Sequence, residues 1–133
     1  MPGAELHLHL EGSLEPATLC ELDPTVTPEE VSRRYRYRDF PQFIESYLWV
    51  IERLRRPQDY ALAARRLLER LEREGTRYAE ITLSAAVIMW RGQDLDATFE
   101  AILAECEESP VETHWIMDSV RQWGAEWAQR TAE

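Results

Sequence analysis

Three strand-like segments separated by helical stretches constrain this chain more than any other feature of it. They are "AELHLHL" (4–10), the β-branched and aromatic run over about 77–84 in "TRYAEITLSAAV", and "PVETHWIMDSV" (110–120). Strands joined by helical crossovers pair parallel, in right-handed βαβ units. The fold class is therefore α/β, with about three parallel strands. A parallel sheet needs cover on both faces. The pattern also runs on into "GAEWAQRTAE" (124–133), a helical stretch that continues a side bearing Trp123, Trp127 and Thr131. So thin a sheet reads as a single partial domain over 1–133, the opening of something larger.

Local signals place the helices. "EGSLEPATLCEL" turns at Gly12, offers Ser13 as an N-cap and carries Pro16 in the first turn of a short helix. In "DPTVTPEEVSRRY", Thr27 and Glu30 form a capping box for a second. "RDFPQFIESYLWVIERLRR" spaces Phe40, Phe43, Ile44, Tyr47, Leu48, Ile51 and Leu54 as one amphipathic helical face. Pro57 separates it from "QDYALAARRLLERLEREG", a strong helix closed by Gly75, whose arginines and glutamates form a solvated face. "DLDATFEAILAECEES" is a helix starting near Asp94. No internal repeat or low-complexity tract interrupts the series.

The first strand carries the chemistry. Side chains alternate along a strand, so His7 and His9 share one face while Leu6, Leu8 and Leu10 share the other. In α/β folds the working end is where strands hand over to helices. His7 and His9 sit at that end, with Glu11 and Gly12 in the loop beyond. Neutral imidazoles are common Zn²⁺ ligands, and a strand fixes two of them at adjacent coordination positions. A catalytic zinc site typically takes about three protein ligands and a water. The pair is half of such a shell, and spacing alone leaves a fortuitous pair open.

Charge and composition narrow the class. A net charge of −10 argues against a nucleic-acid or anionic-membrane partner, since both need clustered Lys and Arg. All 15 basic residues are arginine, so Schiff-base and P-loop lysine chemistry is absent. Cys20 and Cys106 stand apart and read as buried reduced thiols. Glu5 and the histidines arrive too early for a signal peptide, and no apolar run reaches membrane-spanning length. A soluble, cytoplasmic protein is expected.

"AELHLHLEGSLEPATLCEL" resembles the opening strand and loop of the adenosine deaminase family, part of the metal-dependent amidohydrolase superfamily. "FPQFIESYLWVIERLRRPQDYALAARRLLERLEREGTRYAEITLS" is similar to the family's next helical segment and second strand, and "THWIMDSVRQWGAEWA" to its third strand and following helix. The resemblance implies a TIM barrel that removes the amino group from a purine ring with a metal-activated water, usually on zinc. By position, His7 and His9 would be the first two metal ligands. His9, Glu11 and Gly12 would lie against a purine nucleoside-type small molecule, Glu11 at its sugar and Gly12 admitting close backbone approach. Adenosine and aminodeoxyfutalosine, an adenine-bearing menaquinone precursor, are both family substrates; the helical stretch leans the reading to the second.

The family's third metal-binding histidine, ring-protonating glutamate, second catalytic histidine and metal-binding aspartate come from later strands. None has a counterpart here, so no catalytic residue is expected within this chain. His114 opens the third strand at the wrong end. A TIM barrel takes around 250 residues, and 133 reach its third strand. The alternative is a catalytically inactive half-barrel that covers its sheet edge by self-association. PHP-type metal phosphoesterases share the HxH strand but not the "EGSLEP" continuation. Cytidine-type zinc deaminases need HxE and PCxxC, and both are missing.

Several other residues carry expectations. Glu80, mid-strand, points inward, to orient a histidine or, as favoured, to pair with an arginine. Asp118 and Arg121 close the third strand as an ion pair or a substrate contact. Trp49, Trp90 and Trp115 pack in core or on surface, with Trp90 best placed to stack on a purine.

Overall fold

The computed structural model describes residues 3–118. The helix expected over 124–133, with Trp123, Trp127 and Thr131, lies outside them, as does Arg121. The elements in chain order are β1 (Gly3–His9), α1 (Pro16–Leu22), α2 (Pro28–Arg34), α3 (Phe40–Ile51), α4 (Pro57–Arg73), β2 (Thr76–Leu83), α5 (Ala85–Trp90), α6 (Leu95–Glu107) and β3 (Glu112–Met117). The sheet runs β1-β2-β3, and both pairings are parallel, as helical crossovers require.

One face of the sheet holds the core. α4 places Tyr60, Ala63, Ala64, Leu67, Leu68 and Leu71 at three- and four-residue spacing, all buried. They join Leu10, Ala79, Ile81, Leu83 and Ile102 in one cluster, with Leu8, Trp115 and Met117 packed against it. Gly75 ends the α4 turn at φ +80°, a conformation that costs a residue with a Cβ. The charged face of α4 is solvated as expected and laced with ion pairs, Arg66 to Glu21 and Glu69 and Arg65 to Glu105.

Several expectations need correction. The cover that a parallel sheet calls for does not reach most of β1: Gly3 through His7 are exposed, and Leu6 is 62% exposed. Among the described residues it pairs only with β2, and its outer edge is open. Ser13 does not cap α1; Glu15 holds that position, and the Ser13 hydroxyl donates instead to the His9 carbonyl at 2.6 Å. Thr27 does cap α2, accepting from the Glu30 N–H at 3.2 Å. α3 buries only part of the face its apolar spacing suggested. Ser46, Trp49, Val50 and Ile51 go inward, while Phe40 and Leu48 are 71% and 51% exposed. α5 has no counterpart among the expected helices, because six residues are too few to show a period. Cys20 and Cys106 are free but half-buried, at the margin of the core.

Candidate active site

The C-terminal ends of the three strands converge on one cleft of about 570 Å³. His7 and His9 form its wall on β1, Gly12 and Ser13 its loop, Ser84 and Val87 the β2–α5 junction, and Asp118 the end of β3. Phe43, Ile44 and Tyr47 of α3 cover it. That volume is in the range of small-molecule sites, which are mostly apolar with a few convergent polar groups.

The histidine pair follows from strand geometry. His7 and His9 share a face, their ring centroids 5.0 Å apart and the rings nearly perpendicular. His9 pairs with Thr82 in register, and the Leu10 N–H donates to the Thr82 carbonyl at 3.0 Å. The turn then closes on His9 itself, whose carbonyl accepts from the Gly12 N–H at 3.1 Å as well as from Ser13. Among the described residues no protein group hydrogen-bonds to either imidazole, which leaves their ring nitrogens open to the cleft. Two adjacent imidazoles with nitrogens open to the cleft suit a divalent ion. No group of three or more potential ligands assembles among the described residues, so the pair supplies two positions of a shell.

Glu11 does not share the histidines' cleft. It is 1% exposed and turned beneath the loop, where one carboxylate oxygen accepts from the Ser84 N–H at 2.9 Å. The other has no partner among the described residues. Burial pushes its pKa up to about 7, against the Ser84 N–H, which favours the ionised form; the Asp118 charge adds to the rise. The Ser84 hydroxyl in turn shares a 2.7 Å hydrogen bond with the Tyr47 hydroxyl, tying α3 to the end of β2. Burial also raises the Tyr47 pKa. Glu11 lines a smaller adjoining cavity of about 230 Å³ with Gly12, Tyr35, Tyr37, Phe43 and Tyr47. A Cβ on Gly12 would meet the His9 Cβ at 3.7 Å, an ordinary contact, so packing within the protein does not demand glycine there.

The other candidates separate. Asp118 joins the cleft, its backbone N–H donating to the Leu83 carbonyl at 2.9 Å. Glu80 sits level with His114 one step down the sheet, and no ion pair reaches it among the described residues. His114 packs against Tyr78 and lies 3.8 Å from Glu112, below the cleft. None of the three tryptophans lines the cleft. Trp49 is core, with the Arg53 and Arg34 guanidinium groups 4.3 and 5.2 Å from its ring centre. Trp115 packs edge-on to Phe99. Trp90 is 63% exposed at the far end of α5, where the six-residue helix carries it away from the opening. The aromatic wall is instead Phe43 and Tyr47. Its signal was present: α3 is apolar on two faces, and only one of them can belong to the core.

Comparison with known proteins follows the same lines. The sequence profile of the family described as "Adenosine deaminase" matches residues 2–133. An aminodeoxyfutalosine deaminase of Streptomyces avermitilis is 34% identical over 143 residues, covering 98% of this chain and 40% of its own length. An adenine deaminase of Streptomyces coelicolor is 31% identical over 144 residues, covering all of this chain and 42% of its own. The crystal structure of adenine deaminase from Arthrobacter aurescens superposes with a TM-score of 0.84 at 28% identity, over 98% of this chain and 43% of that one. The chain thus spans about two-fifths of the length of these relatives. Its α/β layer of three parallel strands is a partial (β/α)8 barrel, as expected. No helix among the described residues is long and apolar enough to cross a membrane.

Proposed function

The chain belongs to the adenosine deaminase family, and from that premise we propose that it supplies the first two metal ligands and part of the substrate cleft of a hydrolytic deaminase. The substrate is an adenine-bearing small molecule; between adenosine and aminodeoxyfutalosine the reading leans to the latter. One observation carries it: two strand-end imidazoles, with no hydrogen-bond partner among the described residues, line a cleft of about 570 Å³ whose other wall is aromatic.

His7 and His9 would hold the ion, zinc in this reading. When bound, it supplies Lewis acidity that makes water a nucleophile near neutral pH. The chain's own residues do the rest of the local work. β1 and the Gly12–Ser13 turn fix both imidazoles, since His9 is held through its carbonyl and leaves its ring free. Phe43 and Tyr47 keep water from the purine face and offer it a stacking surface. The Ser84–Tyr47 hydrogen bond holds that wall in place. Gly12 borders the ligand, and Glu11 sets the loop from beneath. No described residue is assigned as the proton donor to the ring.

The test is a Zn²⁺ titration by calorimetry, with His7→Ala/His9→Ala beside the parent protein. One weakly held ion per chain, lost in the double variant, is expected. Equal binding by both proteins sinks the reading. Ammonia release from adenine, adenosine and aminodeoxyfutalosine is assayed in parallel. This chain alone should show none; where the reading frame continues past Glu133, the longer polypeptide should turn over one of the three.

A second reading has its own observation. An open β1 strand, with Leu6 62% exposed, and the histidine-bearing sheet face, with Ile116 49% exposed, favour self-association. Sedimentation decides it, and a monomer at all concentrations counts against it.

A further inference from the structure

We propose that Arg70 of α4 is a positioning residue for His9: it fixes the Gly12–Ser13 turn from outside the cleft, and through that turn the place of the imidazole. That the imidazole then holds a divalent ion rests on the deaminase reading. The clamp on the turn rests on contacts of its own.

α4 presents Arg66, Arg70 and Arg73 at four- and three-residue spacing, and so on one helical face. All three reach across to the segment that follows β1. Arg66 takes the Glu21 carboxylate in a fork, at 2.9 and 2.8 Å. Arg73 lies 4.0 Å from Glu15. Arg70 differs from both, because its Nη1 donates to a backbone carbonyl, that of Ser13, at 3.2 Å. Its Nε lies 3.8 Å from Glu74, one turn on in the chain, which steadies the side chain at its root.

Ser13 passes that hold on. Its carbonyl accepts from Arg70, its N–H donates to the Leu10 carbonyl at 3.1 Å, and its hydroxyl donates to the His9 carbonyl. Every polar group of Ser13 is engaged, so a turn held at Ser13 is held at His9. The imidazole has no hydrogen-bond partner among the described residues, which leaves its backbone as what sets its place. A guanidinium bond to a carbonyl is charge-assisted and stronger than a neutral one. The Arg70 side chain is 25% exposed against 65% for Arg73, so water screens it less. Groups that orient a metal ligand from behind typically change metal affinity about 10–100-fold when removed. Arg70 acts through Ser13 and belongs at the lower end.

Backbone hydrogen exchange with metal chelated, and Zn²⁺ calorimetry, compare the parent chain with Arg70→Met, Arg70→Lys and Arg66→Met. In Arg70→Met the Gly12 and Ser13 amides should exchange about tenfold faster, and Zn²⁺ should bind about tenfold more weakly. Arg70→Lys, which can still donate, should recover most of both. Arg66→Met alters the same face without touching the turn and should stay within about twofold of the parent. Unchanged exchange at Gly12 and Ser13 in Arg70→Met overturns the clamp. Equal loosening by Arg66→Met also overturns it, since the effect would then belong to the docking of α1. A looser turn with parent-like Zn²⁺ affinity overturns the positioning role while the metal reading stands. If no protein binds Zn²⁺ yet Arg70→Met alone loosens the turn, the metal reading fails and the clamp on His9 stands. Ser13→Ala breaks the link between Arg70 and His9 and covers the case in which Arg70→Met does not fold. It should weaken Zn²⁺ binding about as much, and parent-like binding overturns the proposal.

Discussion

Glu11→Gln should stabilise this protein, and only at neutral to alkaline pH. The Glu11 carboxyl is buried with one oxygen unpartnered among the described residues, and its pKa rises from 4.5 to about 7 on folding. Below 4.5 it is neutral in both states and carries no penalty. Between 4.5 and about 7 the unfolded chain gives up the proton while the folded one keeps it, so stability falls as pH rises. Above about 7 the full penalty is in force, about 3 kcal/mol for a rise of that size. Glutamine keeps an oxygen for the Ser84 N–H and cannot ionise. Urea unfolding of both proteins, with metal chelated, gives the difference directly, since every other titrating group is common to the two. The variant should match the parent within about 0.5 kcal/mol near pH 4 and exceed it by about 3 kcal/mol near pH 8. A difference that does not change with pH, or one that favours the parent at pH 8, would refute the burial argument.

Two further perturbations test the frame around the cleft. Tyr47→Phe removes the hydrogen bond to Ser84 but keeps the ring, so it should cost about 1 kcal/mol in urea unfolding; a neutral result would mean that α3 is held by packing alone. Gly75→Ala has open space around the new Cβ, yet the φ of +80° remains, and it should cost about 1–2 kcal/mol by thermal or urea unfolding.

How much of this was legible depends on the range of the interaction. The α4 face, the Thr27 cap and the Gly75 stop are set by neighbours within a turn or two, and the sequence states them. The cleft is different. Trp90 looked well placed because it follows β2 closely, but α5 turns it outward over six residues. Phe43 and Tyr47 looked like core because they are apolar and correctly spaced. The spacing says that a helix has an apolar face, not what that face meets. The short loop after β1 gives no sign that Glu11 folds under it, since the Ser84 N–H that draws it in lies 73 residues away in the chain.

The sequence by itself determined the parallel α/β order and the shared direction of His7 and His9, because crossover length and the two-residue strand period are local rules that tertiary packing does not overrule. Only the tertiary structure decided which apolar face of α3 covers the cleft and which enters the core, and that Glu11 is buried while the histidines stay open. Those outcomes depend on which surfaces compete for burial when distant elements meet, and no window of neighbouring residues contains that competition.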